Sequence, residues 1–458
     1  MKLLEKNPEL QRNIWSELTM QRLVLMPSIA IVILLLITIS VETSNLIDVL
    51  ITVSYIAGGA ILILWGSKVA HDSIINEYNE RTWDWQRMNA LSSHQLLKGK
   101  LFGATAFNWY GGLICLSFWL FFSIVKGESD LFDIGVNFLS VIILAITLMC
   151  LSMIIALLRI RKGSARNRFK SGSIFFLIVL IGGSFLGEIL LSMNGNGGLY
   201  GQGLTLHFFE NLFYAIWTII GVNQALRHEL NYKNSSKLWY LFLITSAIFK
   251  GFVLAEQFDD RRNLFFFMIL SFTIQALIYS YLLLLFESKE PLKFKVLINK
   301  IKERDWKYLN YKAPLWSLTF PLIFIGVIAT WLSFDLRYFI SKYGLDINPL
   351  IYSFKNSLTK SDTFAISAAI ILFVLRDFML MFLISMTSFK KRTNGAFLLY
   401  LFILYCLMPL LVKDTDQLLP FFFPYIGAGS MLCFVLPLLE VVLVAFAVKY
   451  FLKTKFNR

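Results

Sequence analysis

Long uncharged runs alternate along this chain with short polar segments, and the runs have the length needed to cross a bilayer. Residues 23–41, 49–67, 101–125, 134–158, 264–286 and 314–334 contain no Asp, Glu, Lys or Arg. Each is 19 to 25 residues long, and about 20 apolar residues in a helix cover the hydrocarbon core. A helix also satisfies its own backbone there. Six weaker runs follow the same logic: 174–193, 208–226, 238–255, 363–389, 393–412 and 427–448. The pattern predicts an all-α polytopic membrane protein with about twelve transmembrane helices.

Composition agrees. Of 458 residues, 57% are hydrophobic and only 16% charged, against about a quarter charged in soluble domains. With the N-terminus placed inside, the inner segments hold 33 of the 43 Lys and Arg and the outer loops eight, while Lys250 and Arg376 fall within spans. This asymmetry is what the positive-inside rule describes, and it predicts cytoplasmic N- and C-termini. The net charge of +14 is spread over seven inner segments. It therefore predicts topology and attraction to membrane lipids, not nucleic-acid binding. Cys115, Cys150, Cys406 and Cys433 lie in predicted spans with no metal-ligand spacing, so neither a disulfide framework nor a metal site is expected. The first ten residues are polar and lack a small-residue cleavage site, so the first span is expected to stay in the mature protein.

The inner segments recur in order. Long polar stretches follow the second span (68–100) and the eighth (287–313), and short basic loops follow the fourth and the tenth. This predicts two six-helix halves, 1–230 and 231–458, in parallel orientation. Glu80-Arg81-Thr82-Trp83 and Glu303-Arg304-Asp305-Trp306 lie 223 residues apart, a three-in-four match. The halves differ between their fifth and sixth spans, with a glycine-rich stretch at 194–203 and an aromatic, proline-bearing one at 418–425. Either could be a re-entrant helix or an ordinary interfacial loop.

Candidate chemistry sits in the first polar stretch and in the charges within spans. Read as one helix, the stretch places Ile74, Tyr78, Trp85 and Met88 within about 80° of one another, with Arg81 on the same stripe. Glu77, Glu80, Asp84 and Arg87 flank it, as in a helix lying along a membrane surface; a solvated connector fits the same periodicity. Glu188, Lys250, Arg376, Asp377 and Glu440 fall within spans, where a charge must be paired or hydrated. They are candidates for a transport path, although structural pairing between helices is the favoured reading for each. Arg376 and Asp377 point about 100° apart on a helix and are not expected to pair with each other.

Glu80-Arg81-Thr82-Trp83, Leu91-Ser92, Leu96 and Gly99-Lys100 entering a span together resemble the pattern of type-2 ATP-binding-cassette exporter permeases. Arg81 stands where that family often has Gly, and Ser92 where Pro is common. Asn7-Pro8-Glu9-Leu10, residues 83–88 and Lys100-Leu101-Phe102-Gly103-Ala104 further resemble a bacterial subgroup of such permeases, so the explicit similarity covers roughly the first 115 residues. The resemblance implies a fused pair of six-helix exporter domains in a bacterial inner membrane. It implies that Ile74, Tyr78, Glu80, Arg81, Thr82, Trp83, Trp85, Arg87, Met88, Gly99 and Lys100 belong to a coupling segment (74–100). That segment would meet an ATP-binding-cassette ATPase subunit, expected in two copies. The second inner segment, 287–313, would meet the other copy, but its basic character equally suits a lipid-surface helix. The chain itself is not expected to be an enzyme, with catalytic residues none. Gly99-Lys100 is followed by Leu101 and lacks the preceding glycine of a phosphate-cradling loop, so ATP and Mg are expected on the partner.

Two other classes compete. A twelve-helix secondary transporter also has a parallel repeat, but its Gly-x-x-x-Asp-Arg pattern between spans two and three is missing. A membrane-embedded transferase acting on lipid-linked substrates would place paired carboxylates or histidines on a sizeable outer loop. Residues 335–362 offer no such constellation.

Overall fold

The structure, a computed structural model, describes residues 7–41, 45–88, 91–127, 130–161, 204–230, 232, 236–257, 264–286, 291–311, 313–333, 360–386, 393–412 and 417–456. They contain helices and no strands. The chain divides into two compact units, Met1–Asn234 and Ser235–Arg458.

Unit 1 contains α1 (Pro8–Glu17), α2 (Met20–Ser40), α3 (Leu46–Asn79), α4 (Trp83–Met88), α5 (Ser93–Lys98), α6 (Ala106–Lys126), α7 (Leu131–Arg161) and α8 (Leu204–Glu229). Unit 2 contains α9 (Lys237–Gln257), α10 (Leu264–Phe286), α11 (Pro291–Lys302), α12 (Trp306–Tyr311), α13 (Leu315–Ser333), α14 (Lys360–Met386), α15 (Thr393–Leu411) and α16 (Ser430–Phe456). Ten of the described helices are long and apolar enough to cross a membrane: α2, α3, α6, α7, α9, α10, α13, α14, α15 and α16. The chain is a multi-span, all-helical membrane protein. The sequence-predicted span 208–226 lies in α8, which is long enough but carries Glu210, Asn211, Asn223 and Gln224 and so falls outside these ten. The span predicted at 174–193 lies outside the described residues, as does Glu188.

Helix α3 runs on for roughly three turns past the uncharged run that ends at residue 67. A π-helical turn at Ala60–Trp65 interrupts its ladder. Around it the helices approach closely at small residues: a Cβ on Gly112 would strike Leu62, and one on Gly66 would strike Met149. A core of Tyr55, Leu62, Ile74, Trp119, Met149 and Leu226 holds unit 1 together. In unit 2, Ile323, Val327, Phe378, Met381 and Phe397 play this part, with the Phe320 and Phe378 rings 4.4 Å apart.

The single continuous helix expected over 74–88 does not form. Helix α3 ends in a Schellman turn, in which Arg81 N–H donates to Tyr78 O (3.2 Å) and Thr82 N–H to Glu77 O (2.9 Å). Arg81 occupies the left-handed position, φ 62°, which is normally glycine's. A Cβ there costs about 1–2 kcal/mol, which a glycine avoids at some entropic cost of its own. Arg81→Gly is therefore expected to raise the melting temperature of the purified chain slightly, and the β-branched Arg81→Val to lower it.

Candidate functional site

The break at Arg81 re-sorts the predicted face. Ile74 and Tyr78 stay on α3, where Ile74 is fully buried and Tyr78 packs at the edge of the core. Trp83 opens α4 and turns inward, 3% exposed, among core residues that include Leu226. Trp85 and Met88, one turn apart on the outer side of α4, are 70% and 73% exposed. Glu80, Arg81, Thr82 and Arg87 are also exposed. Arg87 Nε donates to the Glu229 carbonyl (3.0 Å), tying α4 to the end of α8. The turn is thus a short helix anchored by one tryptophan and presenting the other.

Gly99 and Lys100 do not share that surface. Lys100 is 1% exposed and forms an ion pair with Glu77 at the end of α3 and another with Glu9 on α1, at 3.3 Å. Arg12 reaches the same two carboxylates, at 2.9 and 3.3 Å, so two cations face two anions. A Cβ on Gly99 would collide with Glu9, and one on Gly103 would approach Asn13 Cβ to 2.9 Å. Glycine lets α1 lie directly on the π-helical turn Gly99–Ala104 that enters the third span. Asn13 Nδ2 donates to Gly99 O (3.1 Å) and Asn7 Nδ2 to Gln95 O (2.8 Å). Gly99 and Lys100 thus sit in the buried linkage between α1, α3 and α5, apart from the exposed side of α4.

Sequence reading missed Glu9 and Glu77 as Lys100's companions, and Asn13 as the donor to Glu9 and to Gly99 O. The start of α1 carried a signal that went unread, Asn7 as N-cap followed by proline at the first helical position. The start of α5 carried another, the reciprocal capping box of Ser92 and Gln95.

The Glu-Arg-x-Trp match in unit 2 has the same backbone. Arg304 N–H donates to Ile301 O (3.1 Å) and Asp305 N–H to Lys300 O (3.0 Å), with Arg304 at φ 54°. Arg81 and Arg304 are the two non-glycine residues with positive φ among the described residues. A six-residue helix beginning at tryptophan follows each turn. The side chains diverge: Trp306 is 72% exposed where Trp83 is buried. The Tyr308 N–H and Lys300 hold the Asp305 carboxyl below its ordinary range.

Of the charges called within spans, Arg376, Asp377 and Glu440 come together in unit 2. Arg376 and Asp377 do pair, against the sequence expectation, with Arg376 Nε 3.1 Å from Asp377 Oδ1. The long guanidinium stem folds back across the 100° between the two Cβ directions. Arg376, 2% exposed, also donates to Glu440 on α16, Phe421 O (3.2 Å) and Tyr405 Oη on α15 (2.9 Å). Asp377 accepts from Tyr281 of α10 (2.8 Å) and Tyr405 (2.6 Å). Lys250 lies half-buried on α9. Four helices and the 419–421 turn thus converge on one internally bonded network. The four cysteines are free, and among the described residues no group of His, Cys, Asp and Glu could hold a metal ion.

No protein-family model matches this chain, and neither a curated protein nor a solved structure is significantly similar to it.

Proposed function

We propose that this multi-span protein is the membrane permease of an ATP-driven exporter, working with a separate ATP-binding-cassette ATPase subunit. The observation that carries the reading is the anchored α4, which offers Trp85 and Met88 to a partner at the end of a helix continuous with a span. Buried aromatic anchors surrounded by charges are what a docking hot spot needs, and Glu80, Arg81 and Arg87 supply the rim. Displacing α4 would pull on α3 directly. Through Lys100 it would also shift α1 and the entrance of the third span. Rim charges set register and approach rather than most of the affinity. A fused chain supplies both membrane halves, so one copy with two ATPase subunits is the expected stoichiometry.

Mild-detergent co-purification tests this reading. An ATP-binding-cassette subunit is expected to accompany the wild-type chain, and Trp85→Ala is expected to weaken that association by at least about 2 kcal/mol. Glu80→Ala should act mainly on the association rate and its salt dependence. Recovery of the folded chain with no such subunit would contradict the proposal. A stand-alone secondary transporter is the second reading, favoured by the buried Arg376–Asp377 pair and its partly buried partner Glu440, since charges within spans often mark ion pathways.

A further inference from the structure

We propose that α11 and the turn that ends it dock on anionic lipid headgroups of the bilayer in which the chain sits. The proposal goes beyond the exporter reading and needs no nucleotide-binding subunit. It takes this end of unit 2 to face the cytoplasmic leaflet, as the distribution of basic residues predicts.

Covalent geometry keeps the segment at the membrane face. Four residues separate it from the end of α10, and three separate α12 from the start of α13. Four residues reach at most about 14 Å. Between Pro291 and Tyr311 the sequence carries six basic residues against two acidic ones, Glu303 and Asp305. Lys300 contacts both acids, at 2.7 and 3.4 Å, while Lys302, Arg304 and Lys307 are exposed. A cluster of four or more Lys and Arg beside a span is the composition that anionic headgroups attract. Apolar and aromatic groups complete an interfacial surface: Val296, Ile301, Trp306 and Tyr311 are exposed, and tryptophan and tyrosine favour headgroup depth.

A protein partner fits this surface less well. Lysine is depleted in protein interfaces, and here it dominates. In unit 1 the same backbone turn is flanked by Glu77, Glu80 and Asp84. One partner face would not complement both. A second ATPase subunit would then contact unit 2 elsewhere.

Hydrogen exchange on the full-length chain in nanodiscs tests this. Discs of phosphatidylcholine alone are compared with discs that also contain phosphatidylglycerol. Amides of 291–311 are expected to exchange about tenfold more slowly with phosphatidylglycerol, an effect lost at high salt, while 74–88 stays unchanged. Lys302→Gln/Arg304→Gly/Lys307→Gln should abolish the difference; glycine at 304 preserves the turn, so loss of folding is not the cause. Equal exchange in both discs would overturn the proposal, as would equal slowing of 74–88. Slowing that requires an added ATPase subunit would also overturn it, while leaving the exporter reading intact.

Discussion

Replacing Arg376 by leucine is expected to destabilise unit 2 by about 3–5 kcal/mol, the cost of leaving a buried charge without its partner. Asp377 and Glu440 both rest on this one guanidinium, and water is scarce at that depth. Asp377 would keep its two tyrosine donors, but Glu440 would lose its bonded cation. The Leu419–Phe421 turn would lose the donor to Phe421 O as well. Thermal unfolding in lipid nanodiscs measures the effect. Glu440→Gln, which leaves Arg376 with Asp377, should cost much less. Combining Arg376→Leu with Asp377→Asn and Glu440→Gln should recover most of the loss, because no charge is then stranded. A triple variant as unstable as the single one would show that packing, not charge, is what Arg376 provides.

Lys100→Met is expected to cost about 3 kcal/mol in unit 1 and to loosen α1 in particular. Glu9 and Glu77 would then share only Arg12, whose side chain is largely exposed. Amide exchange across 8–17 should rise well before the rest of the unit responds. Arg12→Met is the contrast: its side chain is largely in water, where an ion pair contributes about 1 kcal/mol or less, so α1 should stay docked. Similar effects from both substitutions would mean that Lys100 is not the centre of the linkage. Because Lys100 touches no outer surface, its loss should leave Trp85 exposed as before.

Span positions were legible because burial in lipid demands long uncharged helices, and that demand is written residue by residue from 23–41 onward. The Glu-Arg-x-Trp match was visible as letters, but its meaning was not. An arginine at a left-handed position carries no sequence signal where glycine would have, so α3 looked continuous through residue 81. Once the helix breaks, Trp83 and Trp85 separate into an anchor and an exposed group. The partners of Lys100 come from residues 9 and 77, and those of Asp377 from 281 and 405. Such distant pairings leave no periodic trace. The Arg376–Asp377 contact failed in the opposite way, since helical angles fix where Cβ points but not where a long flexible side chain ends.

On the exporter proposal, α4 of unit 1 seats a soluble ATPase. Photo-cross-linking from position 85 in native membranes tests it most directly, with a photoreactive residue replacing Trp85 and mass spectrometry of the adduct. The expected product joins this chain to a subunit bearing the glycine-rich phosphate-binding loop that this sequence lacks. A correctly folded, membrane-inserted chain that yields only lipid adducts, or none, would contradict the account.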